Sequence, residues 1–373
     1  MPLTLDSLRR FAVRRSLFVP RNLQDAIIKL GFVQADPLRA PARAQDLILR
    51  HRVSGYRAGD LEKHYPLLSI SEDVLHVYGF MPKQHLALVH PRSATTRWQV
   101  EEQHPRLRNI VLNYIRDNGP SHPRDLARAI GKGAVVNGWG GSSSATTRML
   151  EALQHKGELR VARRDCGIRV YDIAAPLEIK LAAQARAEGL VRLLVNLYAP
   201  LPEASLRQLV SMLRDRGPSR INLRDTIAIL IKRGELRREA ADGVPFIWPA
   251  DEETNEETHE KAGDESERQG DGDLRLLAPF DPVVCDRRRF KLLWGWEYRF
   301  EAYTPAAKRR MGHYALPILW QDDVVGWANV QIKAGNLVCT PGLAKPVQDI
   351  GALRRALVAE AGRMANFLSA KPE

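Results

Sequence analysis

A chain of 373 residues, 44% hydrophobic and 27% charged, has the composition of an ordinary globular protein with room for two or three compact units. No run of 18 apolar residues occurs, and the opening MPLTLDSLRRFAVRRS lacks the apolar core of a secretory signal, so neither a membrane span nor export is expected. Cys166, Cys285 and Cys339 are odd in number and widely spaced, and the ten histidines form no HExxH pair. The expectation is a protein of the reducing cytoplasm with no metal and no cofactor.

The net charge of +12 is unevenly spread. Residues 251–273 hold eleven acidic side chains against two basic ones, which leaves 54 basic against 33 acidic residues elsewhere. A body that basic is the electrostatic footprint of a polyanion. Anionic lipid is disfavoured because no basic amphipathic helix carries a bulky aromatic face. Nucleic acid is the better partner.

In chain order, Leu23, Ile27 and Leu30 form a helical face ahead of Gly31 and an extended Phe32-Val33. The segment GFVQADPLR follows. If it is extended, Gln34 and Asp36 point the same way and Ala35 faces the protein. The competing reading is a turn, because aspartate before Pro37 commonly starts one. His51 in LRHRV reads as a satisfied structural or phosphate-facing histidine.

Leu107, Ile110, Val111 and Tyr114 then predict an amphipathic helix ended by Asn118-Gly119-Pro120, and Ser121 can cap a second helix carrying Leu126 and Ile130. A glycine-rich loop at 138–141 leads to a third helix over 142–156, closed by Gly157. An arginine-rich hairpin follows, with Leu159 and Val161 on one strand, a turn at Asp165-Cys166-Gly167, and Ile168 and Val170 on the other. Three helices and a hairpin make a winged helix. The tetrapeptide GELR at 157–160 returns at 234–237 behind a similar plan: a helix over 181–198, another from Ser205, a third carrying Leu223, Ile227, Leu230 and Ile231, and a hairpin over 235–248. The N-terminal pattern is a fainter third copy.

The acidic stretch 251–273 has no apolar residue to bury and reads as a disordered linker, with DNA mimicry in the empty basic groove as the alternative. Beyond it, Leu316, Ile318 and Trp320 alternate, turn at Gln321-Asp322-Asp323, and continue as Val324, Gly326, Ala328, Val330 and Ile332. Ile350, Leu353, Leu357, Ala361, Met364 and Leu368 mark a closing helix. The expected fold class is α+β: tandem winged-helix (helix-turn-helix) modules followed by a small β-barrel-like domain. The expected domains are 1–100, 101–176, 177–250, the linker 251–273, and 274–373.

LAPFDPVVCDRRR at 277–289, YTPAAKRRMGHY at 303–314 and GELRVARRDCGIRVYD at 157–172 resemble the AlkZ/YcaQ family of DNA glycosylases, in order along almost the whole chain. The resemblance implies a C-shaped clamp on double-stranded DNA and hydrolysis of the glycosidic bonds of N7-alkylated purines, interstrand crosslinks included. The family signature, glutamine, a hydrophobic residue, then glutamine or aspartate, matches Gln34-Ala35-Asp36. It implies Asp36 as general base and electrostatic stabiliser and Gln34 as positioning residue. Lys308, Arg309 and Arg310 match a basic loop of the family and are expected at phosphate, as are Arg163, Arg164 and Arg169 on the hairpin and Arg148 on the third helix. Asp281 in PFDP is expected to shape a turn.

Two departures stand out. Val77 follows His76 where some relatives have glutamate, and Trp327 and Asn329 stand where relatives often have arginine and aspartate. The rival function is a winged-helix transcriptional regulator without catalysis, and a third is a structural nucleoid protein. A lyase is disfavoured because the nearest lysine to the motif is Lys29. A monomer is expected, since tandem modules can grip DNA alone.

Overall fold

Helix ends follow local chemistry. Thr4 and Ser7 form a capping box at the start of the Leu5–Ser16 helix, Asn22 caps Leu23–Leu30, and Gly31 ends that helix in the left-handed region. The computed structural model describes residues 3–92, 98–131, 133–136, 142–177, 179–213, 223–254 and 274–369. The glycine-rich loop at 138–141 and residues 255–273 of the acidic stretch lie outside the described residues. No helix among those described is long and apolar enough to cross a membrane.

The chain divides into two compact units. One comprises Leu61–Val191 and Val210–Thr226. In it the helices Leu107–Asn118, Pro123–Ile130 and Ala145–His155 precede the hairpin Leu159–Asp165 and Ile168–Ile173, in the order the sequence predicts. Val111, Ile115, Leu126, Met149, Leu153, Val161 and Val170 fill the space between them. Cys166 at φ 49° and Gly167 at φ 84° make the tight hairpin turn. Two details differ from the prediction. His122, not Ser121, caps the second helix, because Ser121 is taken up by a bridge to Tyr171 in the hairpin. The third helix starts only at Ala145, because Ser142–Ser144 pairs as a strand with Ala134–Val136.

The other unit comprises Met1–Asp60, Arg192–Leu209 and Ile227–Pro372. It contains a three-stranded sheet, in which Val244–Pro249 lies between Leu201–Pro202 and Leu236–Ala241. It also contains a four-stranded antiparallel sheet ordered Leu274–Leu276, Leu316–Trp320, Asp323–Lys333, Asn336–Leu343. A bulge between Ile318 and Leu319 bends this half-barrel, and the Ile350–Leu368 helix packs on it where the periodicity predicts. Glu252, expected in the linker, belongs to the folded unit: both its oxygens bind the Arg15 guanidinium, at 2.5 and 3.0 Å.

Arg52 and Asp281 are both fully buried and form a bidentate pair with two 2.8 Å bonds. The same guanidinium donates to the Ser16 and Ile48 carbonyls, so one buried cation holds two helices and the Asp281 turn together. Removing one partner of such a pair leaves an unpaired buried charge. Asp281→Ala is expected to lower stability by about 3–5 kcal/mol in urea unfolding. The apolar double replacement Arg52→Met with Asp281→Leu is expected to cost less, and equal losses in the two would contradict this account.

Candidate active site

Val33–Gln34 forms a two-residue strand, which ends at Gln34 and leaves Asp36 outside the pairing. Gln34, Ala35 and Asp36 are all half-buried. Asp36 Oδ1 accepts the Leu38 amide at 2.8 Å, an Asx turn imposed by Pro37 and the two-residue spacing. On its other side, the Asp36 amide donates to Gln45 Oε1 at 3.4 Å. Gln45 is buried on the Ala44–Leu49 helix, so a core side chain holds the turn. The turn thus presents a half-buried carboxylate beside an amide, Gln34, that makes no hydrogen bond within the described residues.

Burial pushes the Asp36 carboxyl above its ordinary value of 3.8, and the Leu38 amide pulls it partly back. The nearby group that local sequence did not reveal is Tyr314. Its ring is buried edge-on to Phe300, at 5.2 Å between centroids, and its hydroxyl has no hydrogen-bond partner among the described residues. Burial first, then the negative charge of Asp36, then Tyr303, push the phenol above its ordinary value. A buried donor left unpaired costs free energy and marks a place where a ligand or water can complete the bond.

Tyr314 ends the basic loop expected from the sequence. The loop is held from inside by buried Glu301, whose Oε2 accepts the Arg310 and Met311 amides at 2.8 Å each. Asn329 donates to the Met311 carbonyl at 2.7 Å. Arg309 turns inward, its Nε on the Thr304 carbonyl at 2.7 Å. Lys308 and Arg310 point out and have no ion pair among the described residues, and Tyr303 beside them is 78% exposed.

The arginines of the other unit divide similarly. Arg163 is exposed and binds only Asp165 on its own strand. Arg164 instead grips buried Glu72 with two bonds, at 2.8 and 2.5 Å, while Tyr78 donates to the same carboxylate at 2.7 Å. Burial opposes the Arg164 charge, and Glu72 more than offsets it, holding its pKa above the ordinary value. Arg169 binds Glu151 and Gln154 and covers the rings of Tyr78 and Tyr171. Arg148 binds Glu151 and covers Trp98. These three guanidiniums, expected at phosphate, are already engaged by protein acceptors or rings. His51 is buried with Nε2 at 3.0 Å from the Leu276 carbonyl, and burial and the flanking arginines push it well below 6.5. His76 is buried between the strands Ile70–Val74 and Tyr78–Pro82.

The Asp36 shift carries a sign. A carboxyl raised on folding binds its proton more tightly in the folded chain, so stability falls as the pH rises from the ordinary value of 3.8 through the raised folded one, and the full loss is present above it. Asp36→Asn is expected to raise the thermal midpoint near neutral pH by roughly 1–2 °C. The gain should vanish as the pH falls below the ordinary carboxylate range. A midpoint lowered by the substitution would show that the charge is needed for folding.

The family model "DNA glycosylase AlkZ-like" matches residues 27–367. Among solved structures, the Streptomyces sahachiroi DNA glycosylase AlkZ is similar with a TM-score of 0.60 at 14% identity, covering 99% of this chain and 98% of that one. That likeness shows a shared fold, and the family match spans nearly the whole sequence. The chain belongs to the AlkZ-like family and is a DNA glycosylase.

Proposed function

We propose that this glycosylase hydrolyses the N-glycosidic bond of N7-alkylated purines in double-stranded DNA, with Asp36 as its catalytic carboxylate. The observation that carries the reading is Asp36 itself: half-buried, raised by burial, in an Asx turn held by buried Gln45, with its charge felt at the buried Tyr314 hydroxyl. An N7-alkylated purine is already cationic and leaves without protonation. The remaining task is to stabilise the oxocarbenium-like sugar and deliver water. Ionised Asp36 does both, as one carboxylate does in glycoside hydrolysis. Gln34 orients the water or the lesion, and the Tyr314 hydroxyl donates to the attacking water or an acceptor on the nucleotide.

Exposed Lys308 and Arg310 beside Tyr303, with Arg163 on the hairpin, are the side chains suited to phosphate. Arg148, Arg164, Arg169 and Arg309 support those surfaces from within. The helix–hairpin modules act as winged helices on the duplex, and interstrand crosslinks at N7 fall within the same chemistry. A chain of this kind works in the cytoplasm on the nucleoid, as a monomer.

Incubation with duplex DNA bearing N7-methylguanine is expected to yield free base and abasic sites. Asp36→Asn is expected to lower the single-turnover rate by at least about 100-fold with duplex affinity retained. Salt-sensitive binding without base release from methylated or crosslinked duplex would favour the regulator. The rate should rise with pH as Asp36 ionises, with a midpoint above 3.8 after subtraction of spontaneous depurination. Tyr314→Phe is expected to slow release about tenfold at unchanged DNA affinity and unchanged or higher thermal midpoint. An unaltered rate would remove Tyr314 from the mechanism and leave Asp36 standing.

A further inference from the structure

A cavity lined by four arginines lies outside the Gln34–Asp36 turn and outside the 308–310 loop. It encloses about 360 Å³ between the loop after the Ala44–Leu49 helix, the Leu274–Leu276 strand and the end of the Ile350–Leu368 helix. Arg50, Arg57, Arg275 and Arg363 line it, with Glu360 as their sole carboxylate. Among the described residues, four guanidiniums thus line the cavity with one carboxylate.

Glu360 is 1% exposed and works as an organiser. It binds Arg50 at 2.8 Å, Arg363 at 2.9 Å and the Leu276 amide at 3.1 Å. Arg50 is thereby fixed with its side chain 5% exposed, flat against Phe367 at 5.2 Å. Tyr56 stacks on the same ring at 6.3 Å, giving the cavity an aromatic wall. Among the described residues the Arg57 guanidinium binds neutral acceptors, the Asn366 carbonyl and Ser369 Oγ, and Arg275 reaches the His51 carbonyl at 3.4 Å. Guanidiniums held by carbonyls keep their full charge and a planar fork that matches a phosphoryl group.

We propose that this cavity is a phosphate-binding site, which takes a phosphoryl group either from a nucleic-acid backbone or as a free polyanion. A phosphoryl group offers several acceptor oxygens in directions that two or more guanidinium forks can bridge at once, which a carboxylate's two oxygens match less well. The site goes beyond base excision, and its test does not use base release, so this reading and the Asp36 reading fail separately.

The probe is sodium pyrophosphate, titrated calorimetrically into the full chain at fixed ionic strength, beside Arg57→Gln/Arg275→Gln and Arg57→Gln alone. One saturable site is expected in the native chain, weakened at least about tenfold in the double variant. The exposed Arg57 single variant keeps the test valid if the double variant melts early. No saturable binding, or equal affinity in a folded variant, would overturn the proposal. A second arm measures undamaged duplex affinity against salt. If the phosphate is a backbone phosphate, the logarithmic salt slope of the folded variant flattens by about 1. If it is a free polyanion, pyrophosphate binding weakens while the slope stays unchanged.

Discussion

The contact on which the larger unit depends is the buried pair of Arg52 and Asp281. Charges without solvent are tolerable only when every lone pair and proton is used. Here the guanidinium spends its donors on Asp281 and two carbonyls, and Asp281 also accepts the Val283 amide at 3.0 Å. Eight residues on, buried Arg289 donates to the carbonyls of Tyr198, Pro282 and Val283. The PFDPVVCDRRR segment is therefore a knot of satisfied backbone through which sequence-distant parts of the unit meet. The Asp36 turn rests through Gln45 on the Ala44–Leu49 helix, whose Ile48 carbonyl accepts from Arg52.

The other unit uses the same device at smaller scale. Glu72 is buried with Arg164 and Tyr78 on it, while Gln154 donates to the Glu72 carbonyl at 3.1 Å. One carboxylate thus joins the Ile70–Val74 strand to the arginine-rich hairpin, and the nearby third helix docks through Gln154. Rows of arginine along a hairpin look like phosphate contacts in sequence. In space, alternation sends Arg163 outward and Arg164 inward.

Features with a local period or a local turn were legible: the Ala183–Tyr198 and Ile350–Leu368 helices, the Gln321 turn, and the Cys166-Gly167 turn with positive φ at both residues. The repeated GELR also has a physical cause, because Gly157 and Gly234 both take a left-handed conformation at φ 77° and 72° to leave a helix for a hairpin. What stayed hidden is non-local. Arg52 and Asp281 are 229 residues apart, Glu72 and Arg164 are 92 apart, and no periodicity joins Asp36 to Tyr314. The candidate motif itself came from resemblance; its turn geometry came from the Asp-Pro pair, the reading that alternation opposed.

Gly312 sits at φ 118°, and a Cβ there would lie 2.1 Å from Asn329 Oδ1. Asn329 in turn donates to Met311, so loop and sheet interlock at the pair 312 and 329. An ionised aspartate at 329, the residue the resemblance associates with relatives, has no donor for the Met311 carbonyl. A chain carrying it needs a different anchor for its basic loop. The departure at Asn329 is therefore not a free change of one surface letter: a side chain at 312 or an acceptor-only residue at 329 would each unlatch the loop from the sheet.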